Sequence, residues 1–255
     1  MKITYFVSAA SLLLFSVPPL HSQTIDKKTD QWAGKTIADG AHVNDMVNAR
    51  LDKAPKLGTK APETLLADAH SGKPVFLSDL CAVKPVVLIF ASYSCLCSQK
   101  SAPLINSLHK TYGNDFQFAL VYIREAHPSD GFLAKTVGRE FSIPDPKSFH
   151  ERVGAALKFA SEQKIKFPVL VDSMDDLQAV QWSAWPARLY VIDQTGTVVY
   201  AGQQGPWFVK PTPTFDLKLH GVPESYRNIR GYSQESLEEF LKSSRQRRGM
   251  INFNQ

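Results

Sequence analysis

The chain has 255 residues, 44% of them hydrophobic, which is enough apolar material for one core with an elaborated loop or tail. Lysine and arginine number 29 against 24 acidic residues, a net charge of +5, but they are scattered and not striped between aromatics, which excludes a nucleic-acid binder and leaves a weak attraction for anions. Three cysteines are too few for a disulfide-stapled miniprotein, so the thiols read as chemistry.

Lys2, the apolar run Ser8 to Val17, and then Pro18, Pro19 and Ser22 have the form of an export signal over residues 1–22, cleaved before Gln23. The product is then periplasmic or secreted. The apolar run is shorter than the ~20 residues of a spanning helix, and an uncleaved N-terminal membrane anchor is the alternative. Residues 23–56 are polar and read as a linker or a short amphipathic helix outside the core, with Val43, Met46, Val47 and Leu51 at helical spacing. One domain is expected over residues 57–245, followed by a tail over 246–255.

Within that domain "HSGKP" is a hairpin-like turn before the β-rich "VFL", and "KPVVLIF" has the length and continuous apolarity of a strand buried on both faces. Leu104, Leu108 and Tyr112 share a helical face closed by Gly113-Asn114. "FQFALVYI" is a second buried strand, and Glu125 to Lys147 a long loop. Ser148 caps an amphipathic helix to Lys164 with Val153, Ala156, Leu157 and Ala160 inward. "PVLVD" and "RLYVID" are further strands, "QTGT" turns the last of them into "VVYAG", and Pro206 to Arg230 is irregular. Ser233 to Ser243 forms a capped terminal helix. Parallel buried strands with crossover helices, followed by an antiparallel hairpin and a helix, give an α/β fold with a central mixed sheet and helices on both faces.

The stretch "FASYSCLCSQKSAP", Phe90 to Pro103, runs from strand to helix and places Cys95 at or just before the first helical turn. Free N–H groups and the helix dipole stabilise an anion there, so Cys95 is the expected nucleophile. Cys97 reads either as a resolving thiol or as a small buried residue facing the protein. Cys81 is a buried spectator or a partner for Cys95. The spacing of cysteines and histidines supplies no second ligand pair, so no metal site is expected.

The strand, the "SYSC" turn and the helix resemble the thioredoxin superfamily, with Cys95 at its attacking cysteine and Ser98 where its second cysteine would stand. "LVYIREAHPSDGF" (Leu120 to Phe132), "PVLVDSM" (Pro168 to Met174), "AWPARLYVID" (Ala184 to Asp193) and "GPW" (Gly205 to Trp207) resemble the iodothyronine deiodinase family. The resemblance spans about Pro85 to Trp207. From Phe90 to His127 it needs no gap, which puts Cys95, and not Cys97, at the family's catalytic selenocysteine.

The resemblance implies a thioredoxin-like fold and reductive dehalogenation of an iodinated aromatic. Ser92 and Ser94 match hydroxyl positions around the nucleophile, and Tyr122, Glu125 and His127 match the polar constellation after the next strand. His127, tuned by Glu125, would protonate the ring carbon, with a solvent-exposed loop histidine as the bland alternative. Arg188 would hold the substrate's charged end, unless it pairs with a surface carboxylate. Pro186 falls where thioredoxin-like proteins place a cis-proline beside the nucleophile. No bound cofactor is implied; an external thiol or a thioredoxin-like protein would act as reductant, and a homodimer fits the family.

Three departures accompany the match. Cysteine replaces selenocysteine, Tyr93 occupies the family's nearby cysteine, and Pro146 aligns with a substrate-clamping histidine. The resolving thiol is then Cys97, Cys81 or an external one. Two other readings fit the same fold: a thiol peroxidase or disulfide reductase taking a peroxide or disulfide, and a non-enzymatic redox-sensing or binding module.

Overall fold

The computed structural model describes residues 54–130, 141–202, 209, 233 and 235–252. The expected signal segment, most of the linker, Gly205 to Trp207 and, apart from Val209, the Pro206 to Arg230 stretch lie outside the described residues. The elements are β1 (Leu65–Asp68), β2 (Pro74–Phe76), α1 (Leu77–Val83), β3 (Val86–Ala91), α2 (Leu96–Tyr112), β4 (Gln117–Tyr122), α3 (Phe149–Glu162), β5 (Val169–Val171), α4 (Leu177–Gln181), β6 (Arg188–Ile192), β7 (Val198–Ala201) and α5 (Leu237–Asn252). No helix among the described residues is long and apolar enough to cross a membrane.

The strands form one seven-stranded sheet in the order β2-β1-β5-β4-β3-β6-β7. Strands β3, β4 and β5 run parallel, while β6 is antiparallel to β3 and β7 to β6. This is the expected α/β arrangement, thioredoxin-like, with an antiparallel β1–β2 hairpin added beyond β5. Gly196, at φ +76°, supplies the left-handed residue of the β6–β7 turn.

Both faces of β3 are covered, and its alternating side chains therefore serve two cores. Val87, Ile89 and Ala91 pack with Ile105 and Leu108 of α2, Phe159 of α3 and Leu237 and Leu241 of α5. Val86, Leu88 and Phe90 face the other way, toward Leu77 and Cys81 of α1, Ala179 of α4 and Trp182. Each fully buried aliphatic side chain contributes roughly 1.5–3 kcal/mol, so β3 is anchored from both sides and its C-terminal end is a fixed platform.

Several elements differ from expectation in detail. On α2 the inward residues are Ala102, Ile105, Leu108 and Tyr112, with Leu104 only partly buried. On α3 Ser148 does cap the helix, accepting a bond from the Glu151 N–H at 3.2 Å, but the buried face is Arg152, Ala155, Ala156, Phe159 and Ala160, with Val153 and Leu157 at its margin. Arg152 turns inward because partners wait there: its guanidinium donates to the carbonyls of Asp172 and Ser173 and pairs with Asp176 at 2.9 Å.

The terminal helix starts at Leu237 behind a reciprocal Ser236–Glu239 capping box and continues to Asn252, into the stretch expected as a tail. Ala54, the first described residue of the expected linker, is buried in the α1/α4 core, not outside it. Helices α1 and α4 had no signal in the periodicity. The Asp172 carboxylate accepts from the Gln178 and Ala179 N–H groups at the start of α4, a contact across six and seven residues of sequence.

Candidate active site

At the end of β3 the chain leaves the sheet through Ser92, Tyr93 and Ser94, all buried, and reaches Cys95 as the N-cap of α2. Its backbone is extended, φ −81° and ψ 108°, which bends the thiol off the helix axis and under the neighbouring loops. Cys95 packs against Ala126, after β4, and Ala187, before β6, with Cys97 and Trp185 around them. The Trp185–Pro186 bond is cis, as expected, and Trp185 and Ala187 on either side of Pro186 pack in the cluster of Cys95.

The electrostatics select Cys95 as the thiolate. A hydrogen bond from the Cys97 thiol lowers its pKa to about 7, against the opposing effect of complete burial. The Ser98 hydroxyl and the backbone N–H groups of Ser98 and Cys97 add to the lowering. The Cys97 thiol is pushed far up, first by bonding to Cys95 and then by burial and the negative charge beside it. Cys95 is therefore more readily ionised near neutral pH than an ordinary thiol.

Of the two readings of Cys97, full burial is not met: it packs beside Cys95 but is partly exposed, whereas Cys95 is 1% exposed. The extended N-cap folds Cys95 inward and leaves the first helical turn to carry Cys97 toward the surface.

Cys81 is excluded as a partner for Cys95. It lies in the α1/α4 core, and the charge felt at its thiol is that of Asp193, just past the residue of β6 that pairs with Val86. Cys81 thus sits at the start of β3 and Cys95 past its end, about 20 Å apart for six residues of strand, where a disulfide needs Cα atoms within about 7 Å. Burial pushes its thiol up to about 11, further from reactivity.

Glu125, Tyr122, Ser94 and Ser92 form a framework beneath the thiol. The Glu125 carboxylate is 2% exposed and accepts from the Ser94 N–H at 2.7 Å, the Ser94 hydroxyl at 2.5 Å and the Tyr122 hydroxyl. Tyr122 Oη accepts in turn from the Tyr93 N–H at 3.1 Å. Ser94 Oγ takes the His127 N–H at 2.9 Å, and Ser92 Oγ the Ala126 N–H at 3.3 Å. The turn after β3 and the loop after β4 are thereby joined at several points. Burial raises the Glu125 pKa, with the Ser94 and Tyr122 hydrogen bonds acting against it, and it raises Tyr122 well above the ordinary phenol.

His127 is brought to this site, but Glu125 does not tune its ring. The carboxylate is occupied by Ser94 and Tyr122, and His127 Nδ1 is buried with no hydrogen-bond partner among the described residues. Burial lowers its pKa, favouring the neutral ring.

Arg188 opens β6 opposite Phe90, is 1% exposed, and donates through Nη1 to the Tyr190 hydroxyl at 3.2 Å. It lines a small interior cavity with Ser98, Ser101 and Ala187. Pro146, in the loop after the second strand of the core, is buried.

Two contributors were not singled out from the sequence. Ser98 read only as a missing cysteine, yet its hydroxyl bonds both the Cys95 sulfur and the Ser92 N–H, the latter at 3.4 Å. Its position three residues after Cys95, in the first helical turn, was the available signal. Gln99 donates to the Tyr93 carbonyl at 2.5 Å and accepts from Gln163, tying the active turn to the end of α3, a long-range bond that no local pattern announces.

Fold and site together define a thioredoxin-like protein organised around one acidified thiol, a cis-proline loop and a buried Ser-Tyr-Glu network. The family model described as iodothyronine deiodinase matches residues 20–214, and the chain belongs to that family. It is 32% identical over 162 residues to the type I iodothyronine deiodinase of Xenopus laevis, covering 64% of this chain and 62% of that protein. To the thyroxine 5-deiodinase of Bos taurus it is 33% identical over 144 residues, covering 54% and 46%. The chain thus spans about half to three fifths of the length of these relatives. Among solved structures it resembles the thioredoxin domain of a thiol-disulfide oxidoreductase from Bacteroides vulgatus, at 18% identity and a TM-score of 0.42 over 58% of this chain and 89% of the other. A thiol:disulfide interchange protein from Bacteroides sp. aligns at 17% identity and 0.44 over 60% and 84%.

Proposed function

We propose that this chain is a thiol-dependent oxidoreductase that reductively removes iodine from an aromatic ring. The observation that carries the reading is Cys95, a thiol held near pKa 7 at the N-cap of α2 within a deiodinase-family site. The Cys95 thiolate attacks the iodine, the carbon–iodine bond breaks with its electron pair left on the ring carbon, and that carbon takes a proton. Iodine leaves on sulfur as a sulfenyl iodide; a thiol then displaces iodide as a sulfur–sulfur bond forms, and external thiols reduce that bond to restore Cys95, leaving as one disulfide. His127, which follows the Ala126 packed on Cys95, is the proton carrier of this reading. Because burial lowers its pKa, it delivers a proton only from the protonated minority of molecules. Ser92, Ser94, Tyr122 and Glu125 hold the two loops together beside the thiol.

A second reading, thiol peroxidase or disulfide reductase activity, is favoured by one observation: a second thiol, Cys97, stands in hydrogen bond with the first. Export, with the chemistry taking place outside the cytoplasm, belongs to the proposal on the strength of Lys2 and the Ser8 to Val17 run.

The test is iodide release from iodinated phenols and thyronines with dithiothreitol, run beside peroxide consumption, for the native protein and Cys95→Ser. Iodide release that disappears in the variant supports the first reading. Peroxide consumption without iodide release replaces it with the second.

A further inference from the structure

We infer that Cys95 and Cys97 form a dithiol–disulfide couple in which Cys97 resolves the oxidised Cys95 and is itself the sulfur that the external reductant attacks. This deepens the dehalogenation reading and rests on it for the natural oxidant, although the couple closes with any two-electron oxidant of Cys95.

Three observations carry it. The pair is in place: Cys97, two residues from Cys95, packs against the cluster that holds it, and each thiol figures in the electrostatics of the other. The alternatives are absent: the third cysteine, Cys81, lies at the far end of β3, and Tyr93 and Ser98 supply no thiol. The exposures differ: Cys95 is buried and Cys97 is partly exposed, so a solvent-borne thiol reaches Cys97 first.

The couple is also self-timed. Cys97 stays protonated because the Cys95 thiolate lies beside it, and conversion of that thiolate to a neutral sulfenyl iodide removes the charge which suppresses its ionisation. The Cys97 thiolate then attacks the Cys95 sulfur. A sulfur–sulfur bond forms, the sulfur–iodine bond breaks, iodide leaves, and the Cys97 proton goes to solvent. One external thiolate attacks Cys97 and expels Cys95, the better leaving group because it is the more acidic thiol. A second external thiol releases Cys97, giving back the dithiol and one oxidised external disulfide. A disulfide between residues two apart is strained and readily reduced, which suits a bridge that opens at every turnover.

The experiment oxidises the reduced, desalted full chain with one equivalent of diamide or hydrogen peroxide, blocks free thiols with N-ethylmaleimide, and maps the peptides by mass. The couple predicts that Cys81 alone is labelled and that the Cys95–Cys97 peptide is lighter by two hydrogens. In Cys97→Ser, peroxide should instead leave a dimedone-reactive sulfenic acid on Cys95 that survives about tenfold longer than in the native chain. Labelling of Cys97 in a native chain whose Cys95 is oxidised would overturn the inference, as would equal sulfenic acid lifetimes. Iodide release is measured on the same samples. Its absence while the bridge forms removes the dehalogenation reading and leaves the couple standing.

Discussion

Cys95, the proposed nucleophile, is acidified by partners within its own helical turn. The Cys97 thiol, the Ser98 hydroxyl and two backbone N–H groups all favour its anion over the neutral thiol, and only burial opposes them. Removing donors must therefore raise its pKa. In Cys97→Ala and Ser98→Ala the pH midpoint of Cys95 alkylation by iodoacetamide, followed on the Cys95 peptide, should move from about 7 toward the ordinary ~8.5. An unchanged midpoint in both would show that the helix terminus alone sets the acidity. His127 makes the opposite demand, since it must be protonated when Cys95 is not. Dehalogenation should follow a bell-shaped pH profile. It rises as Cys95 ionises and falls as His127 loses its proton, with the maximum on the acid side of neutrality because burial lowers the His127 pKa. His127→Gln should abolish the alkaline fall and slow the reaction by about 10²–10⁴-fold. Cys95 was legible because a strand running into a helix fixes where the anion site must lie. The exposure of Cys97 was not, because it depends on the backbone angles of one N-cap residue.

At the scale of elements, two loops converge on one turn because buried polar bonds hold them. The Glu125 carboxylate joins β4's exit to β3's exit through Ser94 and Tyr122, and Arg152 joins α3 to the chain between β5 and α4. Arg152 is almost fully buried with three acceptors around it, so Arg152→Leu should cost about 3 kcal/mol in urea unfolding, the loss expected when one member of a buried ionic network is removed. A loss below about 1 kcal/mol would mean that the carbonyls and Asp176 find other donors at little cost. The long strands and the capped helix α3 were readable from apolar runs and from Ser148. The short helices α1 and α4 were not, since α4's capping carboxylate, Asp172, lies in the preceding strand's exit. Arg152 was not among the inward residues read from the sequence, because an amphipathic pattern scores an arginine by its charge and not by the carbonyls that await it.

At the scale of the whole molecule, parallel strands β5, β4 and β3 end together, and the antiparallel β6 begins beside them. Cys95, its polar framework and the cis-proline loop thus meet where the parallel strands finish, at one end of the sheet's central strands. The edge-on meeting of β3's exit with β6's start is also what separates Cys81 from the chemistry, at the opposite end of the same strand. Family membership and this topology agree on where the reaction would occur. The central claim, that Cys95 takes the halogen, is tested most directly by a single turnover. Reduced, desalted protein is mixed with excess iodinated phenol in the absence of any external thiol, and dehalogenated product and the state of each cysteine are then measured together. The account predicts at most one product per chain, formed in step with loss of alkylatable Cys95 while Cys81 remains free. Product formed while Cys95 stays fully alkylatable would contradict it.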